Sequence, residues 1–268
     1  NSIIEYFVNK GHDVYLIDWG VPEDEDRYLE LDTLIDEYIR DSVDIILERT
    51  GSPKINLFAW CIGGMLSLLY TPLYPEKVNT LTLLTTPFDS SKGGLISLWS
   101  NEDVFHLNKI VEVYGNMPGK FVRYGVMLMF PKTVLKANTF FYDNVQNKIF
   151  LQYYALAEKW LNDNQDIPGE AFKKYIFECH QTTNLKDGKT FINGKQVNLA
   201  KIKFPVLNLA AKEDHIVTLE SIEELGKYIK SDDYTFNVIE GGHVGLAYDP
   251  RTRVFWPKIA EWIETRSK

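Results

Sequence analysis

Short apolar runs alternate with helical patterns along this chain, and that alternation constrains the fold more than any other feature. Residues 13–17 (DVYLI), 54–60 (KINLFAW), 79–85 (NTLTLLT), 204–210 (FPVLNLA) and 234–239 (YTFNVI) read as strands. Between and around them lie helical segments. Residues 2–10 form one, stopped by Gly11, and residues 33–49 form another, where Ile35, Ile39, Val43 and Ile46 fall on one face. Asp32 is placed to cap the start of that helix and Gly51 its end. Helices are also expected over about 62–71, around Ile222, Leu225 and Ile229, and over about 252–265. Strand alternating with helix predicts an α/β fold, a mostly parallel sheet with helices on both faces.

The stretch 88–200 breaks the rhythm. It is rich in aromatic residues, including Tyr114, Phe121, Phe140, Tyr153 and Trp160, and mostly helical in pattern. Near its end, Asn193-Gly194 between short β-prone runs predicts a hairpin. More than a hundred residues is too long for a loop between two sheet strands. The expected organisation is a core of 1–87 and 201–268, with 88–200 as a mainly helical cap or lid insertion. The chain opens at Asn1 without a methionine and runs straight into a helix. That reads as a fragment lacking the N-terminal part of the core.

Composition narrows the function. A net charge of −8 argues against nucleic-acid binding, which calls for a basic stripe. Two cysteines, Cys61 and Cys179, fit a reducing compartment better than a disulfide scaffold. The sequence contains no run of apolar residues long enough to span a bilayer, no basic-then-apolar leader, no metal-ligand spacing and no glycine-rich phosphate loop.

The chemistry points to Ala59-Trp60-Cys61-Ile62-Gly63-Gly64, where a strand ends and a helix begins. A nucleophile on such a sharp turn stands above the sheet in a strained conformation, and its neighbours two residues away, Ala59 and Gly63, are expected to be small. A thiolate at the apex exchanges one thioester for another at little cost in energy. The backbone N–H of Ile62, at the positive end of the following helix, is the expected oxyanion donor. Alone, this motif is as often a buried thiol on a glycine-rich turn. Two later loops shift the balance. Lys212-Glu213-Asp214-His215 follows one strand, and Gly241-Gly242-His243-Val244-Gly245 follows another. The order nucleophile, acid, histidine is that of the α/β-hydrolase fold. His243 would take the thiol proton and Asp214 would steady the imidazole. His215 adjoins the acid in a supporting position. His12, His106 and His180 are assigned structural roles, and the adjacent pair Cys179-His180 is a poor dyad because neighbours on a helix point apart.

DVYLIDWG (13–20), AWCIGG (59–64), LLTTPFD (83–89), KEDHIV (212–217) and GGHVG (241–245) together resemble the polyhydroxyalkanoate synthases. The closing EWIETRSK and the spacing resemble the catalytic subunits of the short, two-subunit classes III and IV. The resemblance covers nearly the whole chain, with Ala59 standing where the family usually has glycine. It implies that Cys61 is acylated by an (R)-3-hydroxyacyl-coenzyme A, foremost hydroxybutyryl-coenzyme A, with release of coenzyme A and growth of a polyester chain. It also implies that His243 deprotonates Cys61 and that Asp214 helps to activate the incoming 3-hydroxyl. No cofactor is implied beyond the coenzyme A of the substrate. A homodimer, a small partner subunit and a place on cytoplasmic polyester granules are implied as well. Two other readings share these residues: a monomeric cysteine hydrolase, of the thioesterase or dienelactone-hydrolase kind, and a non-catalytic granule subunit.

Overall fold

The computed structural model describes residues 2–94, 96–99, 101–129, 131–248 and 252–267. Six strands are described: β1 (Ile55–Trp60), β2 (Val78–Leu84), β3 (Phe191–Ile192), β4 (Lys195–Gln196), β5 (Val206–Ala211) and β6 (Tyr234–Ile239). Four of them form one parallel sheet in the order β1-β2-β5-β6. Parallel neighbours need crossovers, and helices supply them. Ile62–Tyr70 lies between β1 and β2, and Leu219–Glu223 lies between β5 and β6.

The central strands are buried at nearly every position because both of their faces are covered, although β2 carries Asn79, Thr80 and Thr82 among its apolar residues. On one face Leu84, Leu207, Leu209, Ala211 and Ile239 pack against Ile259 and Ile263 of the last helix, Trp256–Glu264. Asn208 points the other way and donates its side-chain amide to the carbonyl of Ile222, which fixes the 219–223 helix on the second face. The outer strands β1 and β6 are only partly covered. This is the α/β architecture expected from the alternation.

Two compact units partition the chain. The first comprises residues 1–18, 31–105 and 174–268, and the second residues 19–30 and 106–173. The second unit is helical, built chiefly from Leu107–Tyr114, Gly119–Met129, Pro131–Asn144 and Lys148–Asn162. Within it, Asn116 donates its amide to the Glu23 carbonyl, and the Met117 and Ile167 backbones bridge.

Two local expectations are corrected. Residues 13–17 form no strand. An extended run becomes a strand only where a neighbour offers a ladder. Among the described residues none runs beside it, and Leu16 is 76% exposed. Nor does Asp32 cap a helix start. The helix opens one residue earlier with Leu31–Thr33 and continues through a π-helical stretch, Leu34–Ile39, into Arg40–Thr50. Asp32 sits inside its first turn and accepts the Asn193 N–H at 2.6 Å and the Lys174 ammonium. A tertiary partner has taken the carboxylate that a capping rule assigns to the helix end. The same helix buries Ile35, Ile39 and Val43 and stops at Gly51, as its periodicity requires. The hairpin forms where Asn193-Gly194 placed it, with both residues at positive φ.

Candidate active site

The site lies along the carboxyl edge of the parallel sheet, where the loops are stitched together by the backbone ladder running past the strand ends. The Cys61 N–H donates to the Leu84 carbonyl at 2.9 Å and the Thr85 N–H to that of Leu209 at 2.7 Å. The N–H groups of Lys212 and Glu213 donate to the carbonyls of Ile239 and Gly241. The four loops that carry the candidate residues are therefore held to one another by main-chain bonds.

Cys61 stands between β1 and the Ile62–Tyr70 helix with φ 51° and ψ −117°, a conformation that costs a non-glycine residue roughly 1–3 kcal/mol. The turn lifts its side chain off the strand. Ala59 is buried beneath it. Ile62 opens the helix, where first-turn N–H groups have no intrahelical acceptor. The steric demand falls one residue later than expected. A Cβ at Gly63 would meet nothing within 4 Å, whereas one at Gly64 would stand 1.9 Å from Thr86 Oγ1. Gly64 is what lets the helix close on the end of β2.

Asp214 and His243 converge on the thiol. His243 Nδ1 and Asp214 Oδ2 are 2.7 Å apart, with the Asp214 side chain fully buried. The other carboxylate oxygen, Oδ1, accepts the N–H groups of Ile216 at 2.8 Å and Val217 at 2.9 Å. These two bonds fix the rotamer of the acid, and with Nδ1 committed to it, Nε2 is left for the thiol. Burial opposes a charge on His243, but the Cys61 thiolate and thiol hydrogen bond and the Asp214 carboxylate together raise its pKa to about 10. That environment favours the protonated form of the His243 ring. Gly241, at φ 126°, allows the loop to turn before His243.

The remaining candidates fall elsewhere. His215 is exposed on the loop beside Asp214. His12 is 3.1 Å from Glu264 and lies edge-on to Phe7. His106 precedes the Leu107–Tyr114 helix without a side-chain capping bond. His180 Nδ1 is 2.6 Å from Ser90 Oγ, but burial pushes its pKa down to about 3, and its Nε2 has no hydrogen-bond partner among the described residues. Such an imidazole stays neutral and is a weak base, so this second Ser–His contact is structural. Burial also pushes the Cys179 thiol up and keeps it protonated. Among the described residues, no three His, Cys, Asp or Glu side chains are grouped to hold a metal ion, and no helix is long and apolar enough to cross a membrane.

Sequence reasoning missed two contributors. One is the pair of N–H groups at Ile216 and Val217, which the compact DHIV run hints at. The other is Thr85, a buried β-branched residue at φ 45° that accepts the Trp60 indole N–H at 2.8 Å. No sequence signal marks it, because threonine is uncommon at positive φ.

Residues 1–250 match the alpha/beta hydrolase fold family. Among curated proteins, a poly(3-hydroxyalkanoate) polymerase subunit PhaC of Allochromatium vinosum is 33% identical over 269 residues, covering 99% of this chain and 75% of that protein. The chain belongs to the PhaC polymerase family. PhaC subunits of Haloferax mediterranei and Haloarcula marismortui are 33% and 34% identical, and this chain spans 55% and 57% of their respective lengths. The fold is shared more widely. The monoacylglycerol lipase of Paleococcus ferrophilus superposes with a TM-score of 0.59 at 18% identity, over 98% of this chain and 88% of that one. Within the PhaC family, the thiol at position 61 is the feature on which a functional reading turns.

Proposed function

We propose that this chain carries the catalytic centre of a polyester synthase, with Cys61 as nucleophile, His243 as base and Asp214 as the orienting acid. The Cys61 thiolate attacks the carbonyl of an (R)-3-hydroxyacyl-coenzyme A thioester. The sulfur–carbon bond to the enzyme forms as the bond to coenzyme A breaks, and the departing thiolate takes the proton from the His243 imidazolium. The 3-hydroxyl of the next unit then attacks the enzyme-bound acyl carbonyl while His243 accepts its proton. The ester C–O bond forms as the C–S bond to Cys61 breaks and returns the thiolate, and the elongated acyl-coenzyme A thioester reloads Cys61 for the next ester. Asp214 holds the imidazole in the required tautomer throughout, and a second role in activating that hydroxyl goes with the family. The Ile62 N–H is assigned to the oxyanion.

The observation that carries this reading is the contact between a thiol on a strained strand–helix turn and an imidazole backed by a buried carboxylate. Membership of the PhaC family supports the choice of a hydroxyacyl thioester, with hydroxybutyryl foremost, over other acyl donors. A small partner subunit, a homodimer and a place on cytoplasmic granules belong to the same proposal. Incubating the chain with 3-hydroxybutyryl-coenzyme A tests it. Coenzyme A release with insoluble polyester is the expected result. Free hydroxybutyrate alone would make the chain a cysteine hydrolase, and no acylation of Cys61 would make it a non-catalytic subunit.

A further inference from the structure

Thr85 has a conformation that a β-branched residue rarely accepts, and it lies beside the site without belonging to it. Its backbone N–H is committed to the Leu209 carbonyl at 2.7 Å, its φ is 45°, and it is fully buried. Glycine or asparagine would relieve that backbone. What threonine adds there is a hydroxyl, and that hydroxyl accepts the Trp60 indole N–H at 2.8 Å. Backbone strain of this kind persists where the surrounding structure over-determines it, and it concentrates at functional sites.

The indole is held against a specific neighbour. The Trp60 and His243 rings lie 6.1 Å apart at 34°, within the range of an offset aromatic pair. Trp60 also packs on the core cluster under the last helix, so its ring is wedged between that core and the imidazole. Among the described residues, the titratable groups acting on His243 are Cys61, from the end of β1, and Asp214, from the loop after β5. Both are placed at the edge or one end of the ring, and the indole supplies an uncharged π surface instead. A π face attracts a neighbouring cation more than it does a neutral ring.

We propose that Thr85 and Trp60 act as a strut that holds the indole alongside the His243 ring and so favours its imidazolium form, and with it a thiolate–imidazolium pair with Cys61. Both are positioning residues that act through His243. The inference rests on the reading of Cys61 and His243 as that pair.

The test follows the protonation of His243 in the full chain by NMR of 13C-labelled histidine, with its resonance assigned by comparison with His243→Gln. Trp60→Leu removes the ring, and Thr85→Val keeps the shape of the strut while removing the acceptor. Each is expected to lower the midpoint of His243 deprotonation, by about half to one pH unit, the size of a partly buried cation–π contact. Thr85→Ser restores the hydroxyl and should return the wild-type midpoint, a rescue that a purely packing role would not give. An unchanged midpoint in folded Trp60→Leu overturns the proposal, and that variant decides the matter if Thr85→Val does not fold. A wild-type midpoint that Cys61→Ala leaves unmoved would instead overturn the ion pair beneath it.

Discussion

Gly64 and Thr86 meet so closely that one methyl group separates a folded site from a displaced one. Gly64→Ala would drive a Cβ into the Thr86 side chain, which is itself buried. Overpacking of this kind typically costs about 1–3 kcal/mol, and a lowered Tm in thermal unfolding is the expected result. Gly63→Ala, with open space at the Cβ, should leave the Tm unchanged or slightly raised, because alanine is the better helix former. Asp214 supports a second prediction at this scale. Asparagine could still accept the Ile216 and Val217 N–H groups through Oδ1, but it would present an amide to His243 Nδ1. The imidazole proton would then sit on Nε2, facing the thiol it must deprotonate. Asp214→Asn should therefore slow coenzyme A release in a single turnover by on the order of 10²–10⁴, with the fold intact by circular dichroism. A turnover equal to that of the parent would remove Asp214 from its assigned role. Cys61, Asp214 and His243 were legible in the sequence because each stands in a motif after a strand. Thr85 was not, since its importance lies in a backbone angle and a partner 25 residues away.

At the scale of elements, the β3–β4 hairpin is latched to the π-helical stretch Leu34–Ile39 and the turn before it by two buried carboxylates. Asp36 accepts hydrogen bonds from Asn193, Lys195 and the Tyr74 hydroxyl, and Asp32 accepts the Asn193 N–H. Burial alone would raise the Asp36 pKa, but those three partners outweigh it and hold the pKa at about 2, below its ordinary 3.8. The depressed value means that the latch stabilises the fold above about pH 4 and that its contribution is lost as pH falls toward 2. A shift of this size corresponds to roughly 2 kcal/mol. Urea unfolding at pH 6 and pH 3 should show a smaller loss of stability on acidification in Asp36→Asn than in the parent. An equal loss in both would place the acid sensitivity elsewhere. The hairpin was legible from Asn193-Gly194, and the helix from its apolar period. The latch was not, because a capping rule sees only local partners and Asn193 lies 161 residues beyond Asp32. The strand expected at 13–17 failed for a related reason. A branched apolar run reports a preference for extended backbone, and the ladder that would complete it must come from elsewhere in the chain.

For the molecule as a whole, the Cys61–His243 pair opposes the acid-side behaviour of Asp36. With His243 raised from 6.5 to about 10, its contribution is full below about pH 6.5 and is lost as pH rises through 10. Removing the sulfur in Cys61→Ala should flatten that alkaline decline, measured as the change in urea midpoint between pH 7 and pH 9.5. A decline as steep as the parent's would show that the pair does not couple to folding. The parallel sheet was legible at this scale from strand–helix alternation alone. The joining of residues 19–30 to 106–173 in one compact unit was not, because no periodicity connects those stretches.

That joining has a consequence for how the chain is made. The helical unit takes in residues 19–30 and 106–173, and Glu23 meets its amide partner Asn116 across 93 residues. On a ribosome adding about 5–20 residues per second, the early stretch waits roughly five to twenty seconds before its companion is synthesised. Throughout that interval the nascent chain carries a segment whose partner has not yet been made, so the helical unit closes only after the chain has passed residue 116.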